Sequence, residues 1–481
     1  MTVRLYNTLS RTLETLKPLS QDEVTLYTCG LTVYSQPQIG NWVAYIYWDI
    51  LVRTLIADGY KVNRVQNITD VGHLTDDGDT GEDKMQKGAL REGKTAWDVA
   101  QKYADIAYDE AYNKLGLLVP THMPKATDFI EQQIDYVKQL EEAGYTYVIK
   151  DGVYFDTSKL ADYGKLAKLD IKGLRFGARV ADTGKKHPTD FAVWKFSPED
   201  EKRDMEWSSP WGEGFPGWHL ECSVMAMELL GKQIDIHTGG IDHIPVHHTN
   251  EIAQTEALTH TSFANIWMHN NHLKVNGTKL SKSLGNSYTL TDLVEKGYDL
   301  DAFKLLVLSK HYRSEGNFTW EILDAASNRL IRWRNIAVLR WQTHDTLEDD
   351  DDKDSSHDVN GVILAAPHAA LDHLRDDLGT PEALAVIERA FENIEQHSIR
   401  KIQKSALVAL LEWIEQTLGV RLLGSTPDIN DEAKQTILER ASAREAKDWQ
   451  RSDELRDLLA SRYQIKVLDT NTGPVWQYID K

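Results

Sequence analysis

Hydrophobic and polar positions near the start of the chain follow a strand pattern, then a helix pattern, then a second strand pattern. The first strand is "VTLYTCGL" (residues 24–31), and the second is "KVNRVQNIT" (61–69). Between them, apolar residues recur on one side of a helix: Val43, Tyr47, Ile50, Leu51 and Leu55. Strand, helix and strand in close succession predict a βαβ unit and a parallel sheet.

The pattern changes between residues 121 and 204, which we interpret as an insertion. A helical stretch, "KATDFIEQQIDYVKQLEEAG", leads into "YTYVIKDGVYFD", where Asp151-Gly152 predicts a tight hairpin. Strand character returns in "QIDIHTGGIDH" (233–243), and a helix beginning in "IPVHHTNEIAQ" (244–254) follows. The sheet is therefore expected to continue after the insertion.

The rest of the chain is mainly helical. "LKVNGTKLSKSLGN" (273–286) contains Asn276-Gly277, which predicts a second tight hairpin. Helical periodicity dominates residues 321–425, and residues 426–481 read as a helix followed by a short β element. The acidic run 344–358 is interpreted as a solvated loop and is given no function.

Composition narrows the class of protein. The 481 residues are 41% hydrophobic and 27% charged, which fits a globular chain of about three domains. No run of about 18 apolar residues is present, and the first residues lack the apolar core of a secretory signal, so no membrane span and a cytoplasmic location are expected. The net charge of −20 argues against broad, non-specific nucleic-acid binding.

Two cysteines, one histidine and one glutamate are candidate metal ligands. Cys29 ends the first strand, Cys222 precedes the returning strand, and His247 and Glu251 are one helical turn apart. Because carboxyl ends of parallel strands meet at one rim, all four can reach one spot there. The cysteines by themselves fit two buried thiols equally well, and further histidines could compete as ligands: His237, His243 and His248.

Glycines and lysines give candidate phosphate contacts. Gly40 lies on the turn before the first helix, whose N-terminus is a ready anion site. Gly239-Gly240 offers a second close approach, with Asp242 placed to accept hydrogen bonds from ribose hydroxyls. Lys279 and Lys282 share a loop, where a lysine pair is either solvated or a phosphate clamp.

Taken together, these residues resemble the cysteinyl-tRNA synthetase family of class I aminoacyl-tRNA synthetases. "QIGN" (38–41) and "KLSKS" (279–283) stand where class I enzymes carry a HIGH-like element and a KMSKS-like loop. More specific blocks follow in the family's order over nearly the full length: "YTCGLTVY", "NITD", "EDKM", "DFAVWK", "PGWHLECSVM", "DIHTGGID", "HHTNEIAQ", "KLSKSLGN", "HYRSEGNF" and "REAKDWQRSDELRD".

The resemblance implies an α/β fold with a class I Rossmann-like nucleotide-binding catalytic domain, an all-helical bundle and a small mixed α/β C-terminal domain. The implied domains are a catalytic domain (1–120 and 205–270), a connective insertion (121–204), a KMSKS loop and stem-contact region (271–320), a helical bundle (321–425) and an anticodon-recognition domain (426–481).

The resemblance also implies an ATP-dependent cysteine–tRNA ligase. It would form cysteinyl-adenylate from cysteine and ATP and transfer cysteine to the 3′ end of tRNA-Cys, acting as a monomer. One Zn²⁺ would select the substrate thiolate, and Mg²⁺ would accompany ATP. The implied zinc ligands are Cys29, Cys222, His247 and Glu251. The implied catalytic residues are Lys279, Lys282, Gln38 and Asn41. The implied ATP-binding residues are Gly40, Gly239, Gly240, Asp242 and Lys282, and Thr69 and Trp218 would line the cysteine pocket.

Three departures from the family pattern stand out. Gln38 replaces the usual first histidine of the HIGH-like element, so it can donate a hydrogen bond to phosphate but carries no charge. Phe215 stands where arginine is frequent, and "VGHLTDDGDTG" (71–81) lengthens the link between "NITD" and "EDKM". These departures affect expected rates rather than the assignment.

Two alternative functions and one further site are also consistent with the sequence. A related ligase joins cysteine to an amino-sugar but should lack the long C-terminal region, and a degenerate synthetase would bind zinc or RNA without catalysis. In the C-terminal region, arginine and lysine side chains are expected to meet anticodon phosphates, and a tryptophan to stack on a base. The candidates are Arg444, Lys447, Arg456, Trp449 and Trp476.

Overall fold

The computed structural model describes residues 2–72, 83–168, 184–198, 203–279, 286–342, 357–470 and 473–479. Lys282 lies outside these residues. So do most of the acidic run 344–358 and most of the lengthened link at 71–81. The chain opens with an antiparallel hairpin of β1 (Arg4–Asn7) and β2 (Thr12–Thr15), which the sequence patterns did not predict.

The predicted βαβ unit is confirmed. β3 (Glu23–Thr28) leads through α1 (Ile39–Ala57) to β4 (Lys61–Gln66), and the two strands pair in parallel. The N-cap residue of α1 is Gln38, whose backbone N–H donates to Asn41 Oδ1 over 2.9 Å. Trp42 and Trp48 are buried along it, and burial of such large side chains fixes the helix against the sheet.

Two short helices, α2 (Lys84–Glu92) and α3 (Ala96–Tyr108), follow the sheet. Asp83 caps α2 by accepting the backbone N–H groups of Met85 and Gln86, and Gly93 ends it in the left-handed region with φ of 64°. Thr95 caps α3. The helix pair packs on Val33 and Tyr34, beside the end of β3.

The insertion contains a helix and an antiparallel sheet. After α4 (Ile130–Glu142) come β5 (Thr146–Ile149), β6 (Gly152–Phe155), β7 (Phe191–Phe196), β8 (Trp207–Ser209) and β9 (Gly212–Pro216), in the spatial order β5-β6-β7-β9-β8. The predicted hairpin at Asp151-Gly152 joins β5 to β6. Because β9 pairs with β7, this sheet runs past the expected insertion boundary at residue 204.

The parallel sheet then resumes and gains two strands. α5 (Trp218–Leu230) precedes β10 (Ile234–Gly240), and α6 (His247–Thr259) precedes β11 (Ala264–Asn270). All pairings in the order β11-β10-β3-β4 are parallel. The strand order reverses direction between β3 and β10, and ligands of such sheets bind beyond the carboxyl ends at that reversal.

The second predicted hairpin joins β12 (Leu273–Val275) to β13 (Thr278–Lys279). Its two turn residues, Asn276 and Gly277, have φ of 50° and 72°, the positive values that a two-residue hairpin of this kind requires. β14 (Gly316–Phe318) pairs with β12, after α7 (Leu290–Glu295) and α8 (Leu300–Leu308).

Helices form the following region, as expected: α9 (Trp320–Ala337), α10 (His357–Arg375), α11 (Thr380–Gln396) and α12 (Lys404–Trp413). Their apolar faces join one large core that also includes α1 and α8. Among the described residues, no helix is both long and apolar enough to cross a membrane.

The C-terminal unit contains α13 (Asp431–Glu445), α14 (Trp449–Tyr463) and the antiparallel pair β15 (Ile465–Thr470) and β16 (Gly473–Tyr478). The expectation that Trp476 could stack on a base is wrong, because its side chain is fully buried in the small core of this unit. Its indole N–H donates to Trp341 O and so is already engaged within the protein. Trp449 is 56% exposed and is the remaining candidate.

Candidate active site

A cleft of about 480 Å³ opens where the strand order reverses, beyond the carboxyl ends of β3 and β10. Most of the sequence-predicted site residues line this single cleft: Cys29, Gln38, Gly40, Asn41, Thr69, Trp218, Cys222, Gly239, Gly240, Asp242, His247 and Lys279. Glu251 is completely buried behind the lining residues. Residues from positions 29 to 279 therefore converge on one place.

Four of the predicted metal ligands form one buried cluster. One donor atom from each of Cys29, Cys222, His247 and Glu251 lies within 4.8 Å of all the others. Cys29 follows β3, and Cys222 lies in the first turns of α5. The four-residue spacing in α6 places His247 Nε2 2.7 Å from Glu251 Oε1, as predicted.

A second donor set overlaps the first. Cys29 and Glu251 also group with His237 and His248, so two of the three histidines expected to compete as ligands lie close enough to do so. His237 Nε2 lies 2.6 Å from Glu251 Oε2, and His248 Nε2 lies 3.2 Å from Cys29 Sγ. Neither of these two histidines lines the cleft, whereas three members of the first set do.

The cluster favours positive charge among its donors. Burial disfavours protonation of His247, but the charges of Glu251 and Cys222 outweigh it and raise its pKa to about 10. Burial likewise opposes ionisation of Glu251, yet His237 and His247 hold its carboxyl pKa well below its ordinary value. Burial raises the pKa of the Cys29 thiol. Thiolate, imidazole and carboxylate donors arranged around such a point fit a zinc ion.

The floor of the cleft is held by close backbone packing. Gly30 N–H donates to Asn67 Oδ1 over 2.7 Å, and a Cβ on Gly30 would lie 1.5 Å from the Asn67 carbonyl oxygen. Asn67 Nδ2 in turn donates to Thr69 Oγ1 over 3.0 Å, which fixes the hydroxyl at the cleft wall. Trp218 packs its ring on His247, with centroids 4.6 Å apart.

The glycine pair at the end of β10 makes room for protein side chains. A Cβ on Gly239 would lie 2.6 Å from His243 Nδ1 and 2.5 Å from His248 Cε1. A Cβ on Gly240 would lie 2.3 Å from Asp242 Oδ1. In this structure the groups that approach the glycine pair closely are imidazoles and a carboxylate, and the close approach of a nucleotide stays a prediction.

Sequence reasoning missed one contact at the rim. Gln36, just before α1, donates from Nε2 to Glu110 Oε1 over 3.0 Å and to Thr291 Oγ1 over 3.1 Å. Trp42 Nε1 donates to the other Glu110 oxygen over 3.0 Å. The turn before α1 is thus tied to α7, the helix after the lysine-bearing loop. No sequence signal links residues 74 and 255 positions apart.

The departure at Phe215 also has a structural counterpart. The Arg203 guanidinium lies over the Phe215 ring, 3.7 Å from its centroid, and donates to Gly72 O over 2.8 Å. Arg203 also pairs with Asp83, the cap of α2. An arginine from elsewhere in the chain thus covers the aromatic residue at this position.

Fold and site together define a class I aminoacyl-tRNA synthetase. A family model for the catalytic domain of class I (C) tRNA synthetases matches residues 15–328. Among solved structures, methionyl-tRNA synthetase of Mycobacterium tuberculosis in complex with methionyl-adenylate is similar with a TM-score of 0.62, at 13% identity, covering 83% of this chain and 92% of that one. A leucyl-tRNA synthetase complex of Agrobacterium radiobacter gives a TM-score of 0.60 at 11% identity, covering 87% and 88%.

Within that class, the sequence relatives are specific. The chain is 43% identical to cysteine–tRNA ligase 1 of Burkholderia lata, covering 98% of this chain and 96% of the relative. It is 42% identical to cysteine–tRNA ligase of Zymomonas mobilis, covering 97% and 96%. The chain belongs to the cysteine–tRNA ligase family.

Proposed function

We propose that this protein activates cysteine with ATP to cysteinyl-adenylate and transfers the cysteine to the 3′ end of tRNA-Cys. The observation that carries the proposal is the single cleft that joins a buried sulfur, nitrogen and oxygen donor cluster to the HIGH-like turn and to Lys279. Full-length similarity to cysteine–tRNA ligases supports the same activity.

The donor set Cys29, Cys222, His247 and Glu251 is proposed to hold one zinc ion. We prefer this set to the overlapping one because three of its members line the cleft, where a substrate side chain can arrive. When bound, zinc supplies a Lewis acid that favours a thiolate over a hydroxyl ligand. Trp218 and Thr69 line the cleft with these donors and are proposed to contact the substrate side chain.

The nucleotide is proposed to bind between the start of α1 and the lysine-bearing hairpin. Gly40 and Asn41 of the first turn of α1 line the cleft, and a helix N-terminus suits an anion. Asn41 uses Oδ1 to cap Gln38, which leaves its amide nitrogen as the donor of that side chain. Lys279 lines the cleft, and Lys282 is proposed to reach the phosphates with it; Mg²⁺ would bind mainly phosphate and water oxygens.

The remaining proposed roles concern the adenosine and the tRNA. Asp242, Gly239 and Gly240 are proposed to receive the ribose and adenine side of ATP. The exposed Trp449, with the Arg444 guanidinium 5.5 Å from its ring centroid, is proposed to meet anticodon bases. Lys447 and Arg456 would neutralise nearby phosphates, and the protein is proposed to act as a monomer.

The first test is exchange of labelled pyrophosphate into ATP, with cysteine or serine as the amino acid. Cysteine should support exchange, and serine should be poorer by more than ~200-fold, which is beyond what a size-based pocket achieves for such a small difference. No exchange with cysteine would overturn the proposed function. Charging of tRNA-Cys, compared with an amino-sugar acceptor, separates it from the related ligase.

The choice between the two donor sets is tested by metal analysis. Cys222→Ala should lower the zinc content of the purified protein well below one ion per chain, whereas His237→Asn should retain it. Glu256→Gln, in α6 with His247 and Glu251 but outside the cleft, is the matched control. Loss of zinc in His237→Asn with retention in Cys222→Ala would assign the ion to the other set.

A further inference from the structure

An exposed stripe on α2 combines basic and apolar side chains. Three members lie at the i, i+3 and i+4 spacing of one face of α2, and the fourth follows Gly93, which ends the helix; all four are exposed: Lys87, Leu90, Arg91 and Lys94. Leu90 is 76% exposed, while Met85 and Ala89 of the opposite face are buried. We call these four residues the α2 stripe.

The α2 stripe begins at the wall of the cleft. Arg91 Nη2 lies 3.5 Å from the Tyr34 carbonyl oxygen, and a Cβ on Gly88 would lie 3.4 Å from the same atom. Tyr34 itself lines the cleft, as does Tyr103 from α3. A polymer whose end enters the cleft from this side would therefore run over the stripe.

The charge of the α2 stripe contrasts with that of the whole chain. The chain carries a net charge of −20, whereas the stripe holds three cations. Glu92, the only acid of α2, is engaged by Lys102 over 2.7 Å, by the Tyr103 hydroxyl and by Arg91. The hydrogen bonds from Lys102 and Tyr103 lower its pKa to about 2. Asp98, in the next helix, is occupied by the cap residue Thr95.

Stabilisation of the helix dipole accounts for only part of this arrangement. Cations near a helix C-terminus are favourable, which would explain Arg91 and Lys94. It does not explain an exposed leucine between the cations. Cations that neutralise phosphates, alternating with an apolar contact surface, are typical of single-stranded nucleic-acid binding.

We propose that the α2 stripe binds the sugar-phosphate backbone of the tRNA next to its 3′ end, while the terminal adenosine enters the cleft. This inference rests on the proposed function, because it assumes that a tRNA end must reach the cleft. The three cations would contact phosphates, and Leu90 would pack on a sugar or base.

The test compares two triple variants of the full-length protein. Lys87→Ser/Arg91→Ser/Lys94→Ser removes the charge of the stripe. The control, Lys17→Ser/Lys61→Ser/Lys232→Ser, removes three exposed lysines that precede or open strands of the parallel sheet, at the end away from the cleft. Cysteine-dependent pyrophosphate exchange, which needs no tRNA, should be unchanged in both.

Binding of a tRNA-Cys transcript, and of a hairpin that contains only its acceptor arm, should weaken about tenfold or more in the stripe variant and little in the control. Loss of three contacts to a single strand should lower the slope of log affinity against log salt by about 2. An unchanged affinity and salt slope in the stripe variant would overturn the proposal and leave a protein partner or the helix dipole as the reason for the stripe.

Failure of the proposed function and failure of this inference give different results. Absence of exchange in the unmodified protein would refute the proposed function, while RNA binding by the stripe would still be measured directly. If the triple variant does not fold, Leu90→Glu carries the test, because Leu90 is exposed and the added charge opposes phosphate. Tight, salt-insensitive binding of the acceptor hairpin to Leu90→Glu would likewise overturn the inference.

Discussion

Asp70 is a buried carboxyl group whose ionisation should cost the folded protein stability. It follows Thr69, beyond the end of β4, and is 5% exposed. Burial raises its pKa to about 6, although Thr127 opposes this by donating its backbone N–H over 3.0 Å and its hydroxyl over 2.6 Å. Asp70→Asn retains both contacts, because the amide can accept the first and donate in the second.

The sign and size follow from proton linkage. A carboxyl group with a raised pKa in the folded state binds its proton more tightly when folded, so stability is lost as the pH rises from the ordinary pKa towards about 6. The difference between the folded-state and ordinary pKa of Asp70 lowers the free energy of unfolding by ~3 kcal/mol above pH 7, and ~1.4 kcal/mol of this loss develops between pH 5 and pH 7.5. Asp70→Asn should therefore be more stable than the unmodified protein at pH 7.5, and this advantage in free energy of unfolding should shrink as the pH falls towards 5.

Urea unfolding followed by tryptophan fluorescence at pH 5, 6 and 7.5 measures this difference. The comparison of two proteins at each pH removes the titration of all other groups. Asp128→Asn, an exposed carboxyl one residue beyond Thr127, is the control and should show no pH-dependent difference. A stability gain for Asp70→Asn that is equal at pH 5 and pH 7.5 would refute the reasoning, since it could not come from ionisation of Asp70.

Three further predictions follow from the packing. Gly30→Ala should prevent stable folding, because the added Cβ would lie only 1.5 Å from a backbone oxygen. Gly361→Ala, which has open space around it, should leave the melting temperature equal or higher. Equal melting temperatures of the two variants would contradict this prediction. Trp476→Ala should lower the free energy of unfolding by ~3–5 kcal/mol, because its side chain is buried. Trp449→Ala should change the free energy of unfolding little and raise KM for tRNA in charging assays. The reverse result would restore Trp476 as a candidate base contact. Gln36→Leu removes two hydrogen bonds at the rim and should raise KM for ATP in the exchange assay without altering zinc content; an unchanged KM would make the contact purely structural.

Much of the local structure could be predicted because it depends on neighbouring residues. The period of apolar positions identified α1, and the turn residues Asp151-Gly152 and Asn276-Gly277 located two hairpins. The spacing of His247 and Glu251 placed two donors side by side, since one helical turn separates them. The family resemblance, carried by short ordered blocks, was confirmed by the comparisons.

The sequence alone therefore determined the first βαβ unit, two hairpin turns, the mainly helical second half and the types of donor atom that this protein carries. Tertiary structure decided which of these groups meet: that two histidines besides His247 reach Cys29 and Glu251, that Trp476 is buried while Trp449 is exposed, and that Gln36 joins α1 to α7. Periodicity and turn chemistry act over a few residues, whereas these contacts join positions tens to hundreds of residues apart. Such contacts are set by how whole elements pack, and that packing is a property of the folded chain as a whole.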